Sequence, residues 1–223
     1  MVTFSTIQPE ELAGIPRIGT DESGKGDYFG DLVVAGVYLD AATEPLAQEL
    51  GVKDSKKLSD KKVLGLAVEI QRAFPNEVVR ISPATYNNLY EKMGNLNRLL
   101  AWAHARVIEN LLPRTGAGMV VSDQFGDAAV LENALLRAGR QIRLIQIPRG
   151  ERDLAVAAAS ILARATFIQR MASLSREVGF ELPKGATHVL DAGKRLYAEG
   201  GLPLLRRVAK VHFVTTNNIM NKC

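Results

Sequence analysis

Thr20-Asp21-Glu22-Ser23-Gly24-Lys25-Gly26-Asp27-Tyr28-Phe29-Gly30 sets two adjacent carboxylates at the end of a strand-like segment and follows them with a lysine between glycines. Two acids side by side repel each other where water is partly excluded. A hard divalent cation, magnesium or manganese, relieves that repulsion because carboxylate oxygens suit it. The glycines allow a sharp turn and a close backbone approach to a ligand, with Lys25 as a point charge for a phosphate. Taken alone, an Asp-Glu pair before glycines is more commonly a polar turn than a metal site. Two nucleotide-loop readings fail on spacing: Lys25 is followed by Gly26 and Asp27 where a Walker loop needs Ser or Thr, and Gly24, Gly26 and Gly30 lead into a second strand rather than a helix.

Outward from this stretch, Arg17 to Glu22 reads as a first strand and Leu32 to Leu39 (LVVAGVYL) as a second, apolar on both faces and therefore central. The two are expected to be antiparallel neighbours. Residues 1–16 read as a short lead-in. A short helix is expected over Glu44 to Leu50, then Lys53-Asp54-Ser55-Lys56-Lys57-Leu58 and a helix from the N-cap Ser59 to about Phe74. The basic cluster is either a solvated approach to that helix or a set of backbone-phosphate contacts.

Glu77 to Ile81 reads as a third strand. Ser82-Pro83 opens a further helix, and Asn95 to Leu112 an amphipathic one ended by Pro113, with Leu99 and Trp102 facing the core and His104 as a packing residue rather than a metal ligand. Gly118 to Asp123 is a short strand ending in an acid; Asp123 is either a site residue at a strand's carboxyl end or a cap for a helix starting near Asp127. Gln141 to Gln146 is a further strand, and the Ala-rich helix from Leu154 has side chains small enough to lie close against a sheet. Glu151, at its start, is either a helix-dipole partner or another metal ligand. Beyond Gly179 come Lys184, Thr187 and His188, placed to line a substrate groove, and two helices separated by Gly200-Gly201.

The 223 residues, 47% hydrophobic and 23% charged with a formal net charge of +4, suit a folded domain with a mild preference for a polyanionic partner. The single cysteine, Cys223, excludes a disulfide framework and Cys-based catalysis, and a reducing, cytoplasmic setting is expected. The first residues lack a basic-then-apolar signal pattern, and Leu154 to Ile168, the most apolar stretch, is interrupted by Arg164, so no membrane partner is expected.

Asp-Glu-Ser-Gly-Lys-Gly-Asp-Tyr-Phe-Gly, Asp54-Ser55-Lys56-Lys57-Leu58, Gly94-Asn95-Leu96-Asn97 with Leu-Leu-Ala-Trp, Ser122-Asp123-Gln124-Phe125, Ala157-Ala158-Ala159-Ser160-Ile161 and Leu182-Pro183-Lys184-Gly185 together resemble ribonuclease HIII, within the type 2 ribonucleases H. The resemblance runs from residue 17 to nearly the end. It implies an α/β ribonuclease H-like fold: a mixed five-stranded sheet flanked by helices, with a catalytic core over 17–178 and a helical extension over 179–223 packed on it. It implies a metal-binding and catalytic set of Asp21, Glu22, Asp123 and Glu151, Asp153 being the competitor for the fourth place. Asp21 and Glu22 face opposite sides of a regular strand, so their convergence on one metal pair requires irregular backbone there.

The implied activity is hydrolysis of the RNA strand of RNA-DNA hybrids, leaving 5′-phosphate and 3′-hydroxyl ends, with two Mg2+ or Mn2+ ions about 4 Å apart. Ser23, Gly24, Lys25 and Gly26 would read the RNA strand; Lys53, Ser55, Lys56, Lys57, Lys184 and Thr187 would hold substrate, and the protein would act as a monomer. Compared with the sister family ribonuclease HII, Lys25 replaces an arginine and Ala186 a junction-reading tyrosine, which implies poor cleavage at single ribonucleotides. The family's usual N-terminal substrate-binding domain is not expected in this chain, and Asp31 stands where proline is common. The alternatives are ribonuclease HII-like junction cleavage, another nuclease or strand-transfer enzyme of this fold, and a non-catalytic hybrid-binding module.

Overall fold

The structure is a computed structural model that describes residues 9–53, 55–123, 128–135 and 142–221. Residues 1–8 of the lead-in, Asp54, Gln124, Phe125, the helix start near Asp127, Gln141 and Cys223 lie outside the described residues. Five strands, β1 (Arg17–Ser23), β2 (Leu32–Leu39), β3 (Asn76–Ile81), β4 (Met119–Asp123) and β5 (Arg143–Ile147), form one mixed sheet in the order β3-β2-β1-β4-β5. The β1–β4 pair is parallel, with Gly19 opposite Val121 and Thr20 opposite Ser122, and β4–β5 is parallel with Asp123 opposite Ile147. The helices are α1 (Glu44–Glu49), α2 (Asp60–Ala73), α3 (Pro83–Met93), α4 (Leu96–Thr115), α5 (Ala128–Ala134), α6 (Leu154–Val178), α7 (Leu190–Val208) and α8 (Val214–Met220).

The chain divides into two units, one of Met1–Glu22, Val34–Val79 and Leu96–Ala165, the other of Ser23–Val33, Arg80–Asn95 and Thr166–Cys223. In the first, β1 organises the packing by strict alternation. Arg17, 1% exposed, donates from Nε to Asp153 Oδ2 at 2.7 Å, pairs with Glu44 at 2.6 Å and donates to the carbonyls of Leu12 and Ile15. Two residues on, a Cβ at Gly19 would lie 2.2 Å from the backbone of Ala155 and Val156, so only glycine admits α6 at this distance. On the same side Leu12, Met119, Val121, Ile145, Ile147 and Val156 form a buried cluster. On the other, Gly36 of β2 leaves room for Val107 and Leu111 of α4.

In the second unit the loop from Ser23 to Asp31 is held from beneath. Lys210, fully buried, donates to the carbonyls of Asp27 (2.8 Å) and Gly30 (2.7 Å). Asp31, also fully buried, pairs with Arg170 (3.3 Å) and Arg80 (3.5 Å), and burial pushes its carboxyl up. That is the consequence of an aspartate at this position. Asn87 of α3 donates to the carbonyls of Arg206 and Ala209 and accepts from Val211 N–H.

Several sequence expectations need correction. α4 runs through Pro113 to Thr115, because the proline sits in the last turn, where Thr115 Oγ1 and Arg114 Nε bond the carbonyls of Leu111 and Asn110 and Gly116 (φ 63°) ends the helix. Trp102 is half-buried rather than core. Gly201 (φ 62°, ψ −159°) separates α7 into two helical halves, as the sequence leads one to expect, while α8 is an addition to that reading. α6 is, contrary to the sequence reading, long and apolar enough by length and composition to cross a bilayer; 67% of that stretch is buried, as in the core helix of a folded domain.

Candidate active site

Asp21 ends the α6-facing row that Arg17 and Gly19 begin. Its carboxylate accepts a hydrogen bond from the Ser160 hydroxyl of α6 and another, at 2.8 Å, from Glu22 N–H. Burial above all, and then the charge of Glu22, push its carboxyl from 3.8 up to about 7, with Asp123 adding to the effect.

Glu22 belongs to the opposite row. Thr20 and Glu22 both reach His104 of α4: Thr20 Oγ1 lies 2.9 Å from Nδ1 and Glu22 Oε2 3.3 Å from Nε2, with the imidazole fully buried. His104 is thus a satisfied packing residue, as its sequence suggested, but one that fixes the rotamer of a candidate acid. β1 continues through Ser23, and the contacts alternate along it, Asp21 meeting Ser160 of α6 and Glu22 meeting His104 of α4.

Asp123 shares the side of Asp21, since Val121 lies opposite Gly19 and two residues further along each strand stand the acids. Its Oδ1 accepts from Gly150 N–H at 3.0 Å, and a Cβ at Gly150 would lie 2.9 Å from Asp123 Cα. That contact presses the 3-10 turn Gly150–Arg152, and with it Glu151, onto the end of β4. Asp153 is occupied elsewhere. Its Oδ2 holds Arg17, while Oδ1 accepts from Ala155 and Val156 N–H and so caps α6. Of the two competitors for the fourth acid, Asp153 is committed to Arg17 and the α6 cap, while Glu151 is half-buried on the turn whose Gly150 meets Asp123. Among the described residues no three acids or histidines stand close enough to make a ready metal-binding group.

Behind Asp21 lies a relay that sequence reasoning missed. Ser160 Oγ is 2.7 Å from Ser55 Oγ; the Ser55 carbonyl accepts from Arg164 Nη1, and Arg164 Nη2 pairs with Asp60 Oδ1 at 2.8 Å. Ser160 has one proton to give to Asp21, so it accepts from Ser55. Ser55, expected to touch substrate, is 3% exposed and turned inward, whereas Lys53, Lys56 and Lys57 are exposed. In the second unit Gly185 N–H donates to Asp27 Oδ1 (2.6 Å) and Tyr28 N–H to the Gly185 carbonyl (2.8 Å). Lys184 and the exposed Thr187 therefore neighbour the loop of Ser23, Gly24, Lys25 and Gly26.

The residues fit a divalent cation in kind: hard oxygen donors at strand ends, with the Asp21 carboxyl raised by burial first and then by the charge of Glu22.

The ribonuclease HII family model matches residues 18–216. Ribonuclease HIII of Protochlamydia amoebophila is 48% identical over 208 residues, 93% of this chain and 69% of that protein, and ribonuclease HIII of Chlamydia caviae is 45% identical over 98% of this chain and 74% of its own length. Among solved structures, Bst-RNase HIII in complex with Mn2+ superposes with a TM-score of 0.89 at 33% identity, covering 96% of this chain and 72% of that one. The chain belongs to the ribonuclease HII family, on its ribonuclease HIII side, and is a ribonuclease H enzyme.

Proposed function

We propose that Asp21, Glu22, Asp123 and Glu151 bind two divalent cations, Mg2+ or Mn2+, and that the enzyme hydrolyses the RNA strand of RNA-DNA hybrids at this cluster, leaving 5′-phosphate and 3′-hydroxyl ends. The raised Asp21 carboxyl carries the reading: buried, and next to the charge of Glu22, it is in an unfavourable state that a bound cation turns into a favourable one. Bound there, the ions would activate the attacking water and stabilise the leaving 3′-oxygen. The protein's own part is orientation. Ser160 and Glu22 N–H aim Asp21, His104 aims Glu22, and Gly150 N–H aims Asp123.

Lys53, Lys56 and Lys57 hold phosphates of the hybrid, Ser55 supports Ser160 from behind, and Ser23, Gly24, Lys25, Gly26, Lys184 and Thr187 take the RNA strand, distinguished by its 2′-hydroxyls. Ala186 offers no ring for reading a junction. The division into a core over 17–178 and an extension over 179–223, a monomeric state and a cytoplasmic setting belong to the same reading; the lone cysteine agrees with the last.

Cleavage of three labelled duplexes, a hybrid, DNA with one ribonucleotide, and plain DNA, tests it with wild type and Asp21→Asn under Mg2+ and Mn2+. Cleavage confined to the hybrid and lost in the variant is expected. Efficient cutting at the single ribonucleotide moves specificity toward ribonuclease HII, and cutting of plain DNA refutes the substrate assignment.

A further inference from the structure

Glu151 faces a cleft of about 550 Å3 whose rim carries Lys53, Lys57, Arg149 and Arg152 over a floor that includes Leu154. All four basic residues are exposed and Glu151 is half-buried. The cleft thus holds a formal excess of three positive charges, against +4 for the entire chain. Cations gathered in one recess repel one another; an anion seated among them reverses the sign of that interaction. Both arginines come from the turn that carries Glu151, and their planar guanidinium groups match phosphate oxygens in pairs, as a lysine point charge does not.

Arg149 is also the one non-glycine residue with positive φ among the described residues (φ 58°, ψ 51°). A residue with a Cβ is disfavoured in that conformation, and glycine is at ease in it. A strained arginine at the entrance to Glu151 is therefore kept at a cost to the fold.

We propose that this cleft is a phosphate subsite in which Arg149 and Arg152, with Lys53 and Lys57, hold a backbone phosphodiester of the hybrid beside the linkage presented to the carboxylates. The inference rests on the hybrid-cleaving function proposed above and adds two residues to the substrate contacts.

Arg149→Gly separates function from stability. The variant relieves the backbone strain, so its Tm is unchanged or raised, while hybrid binding weakens. Binding is measured over a range of salt in the Asp21→Asn background, with Arg149→Gly, Arg152→Ala and, as a control outside the cleft, Lys61→Ala added in turn. Each arginine variant is expected to bind the hybrid roughly fivefold more weakly at low salt and to reduce the slope of log K against log salt by about 0.9, with the control unchanged. A hybrid with single methylphosphonate linkages then identifies the strand: neutralising the contacted linkage weakens the parent but not Arg149→Gly. If the parent binds and both arginine variants match it in affinity and slope, the subsite is refuted while the hybrid-cleaving function stands. If wild type neither binds nor cuts the hybrid, that function falls and the subsite with it.

Discussion

Exchanging each of the two neighbouring acids for its amide separates structure from chemistry at the start of α6. In Asp153→Asn a single side-chain oxygen must serve where two did: Oδ2 takes Arg17 Nε at 2.7 Å while Oδ1 takes Ala155 and Val156 N–H. Whichever way the amide turns, either the helix cap or the bond to a buried guanidinium is lost, and an N–H is left facing a donor. Arg17 keeps Glu44 at 2.6 Å, so it does not become an isolated charge. The loss is then that of one hydrogen bond to a charged group, about 1.5–3 kcal/mol. For a chain of 223 residues this lowers Tm by roughly 5–10 °C. Glu151→Gln, on a half-buried turn, changes stability by less than about 0.5 kcal/mol but removes a proposed metal ligand. Thermal unfolding and hybrid cleavage under saturating Mn2+, measured on both variants, are expected to show Asp153→Asn unstable but active below its Tm and Glu151→Gln stable but inactive. A stable, inactive Asp153→Asn together with an active Glu151→Gln refutes the assignment.

Ser160→Ala removes the hydrogen bond that lowers the Asp21 carboxyl, so the metal-free carboxyl rises further above about 7; at pH 7 the variant is expected to bind Mn2+ more weakly than wild type, and equal Mn2+ binding refutes the relay. Lys210 is lowered from 10.5 to about 8, by burial foremost. Its folded value lies below its unfolded one, so the penalty of burying its charge is full below pH 8 and is relieved as pH rises from 8 toward 10.5; relative to Lys210→Met, wild type gains on the order of 3 kcal/mol across that window in urea unfolding, and a gap that stays constant with pH refutes it. Gly19→Ala drives a methyl into the backbone of Ala155 and Val156, 2.2 Å away, and is expected to lower Tm by more than the few degrees typical of an overpacked core site; a wild-type Tm shows that α6 can retreat without cost.

Much of this arrangement is legible in the sequence because it is local. LVVAGVYL, the N-caps Ser59 and Ser82 and the proline after Ser82 each declare their element within a few residues, and the structure places all of them as expected. Asp21 and Asp123 are recognisable as strand-end acids for the same reason. What stays hidden depends on partners far along the chain. His104 shows only its own helix face in sequence; its partners Thr20 and Glu22 lie more than eighty residues away. Ser55 looks like a phosphate ligand because it sits among lysines, and only the contact with Ser160, 105 residues on, turns it inward. Spacing cannot rank Glu151 against Asp153, and it gives no sign that Asp153 is held by the buried Arg17, 136 residues earlier.

The alternation of contacts along β1 explains why the two acids of the Asp-Glu pair are not interchangeable. With period-two alternation, Arg17, Gly19 and Asp21 face α6 while Thr20 and Glu22 face His104, so each carboxylate has its own support: a serine relay for one and an imidazole for the other. The glycine that admits α6 and the acid that α6 orients are thus two consecutive positions of one row. Moving the strand by a single residue would put Thr20 against the α6 backbone and aim Glu22 at Ser160, losing the packing and the site together. The order Gly-Thr-Asp-Glu therefore meets two requirements at once: close approach of α6 at Gly19, and a separate support for each carboxylate.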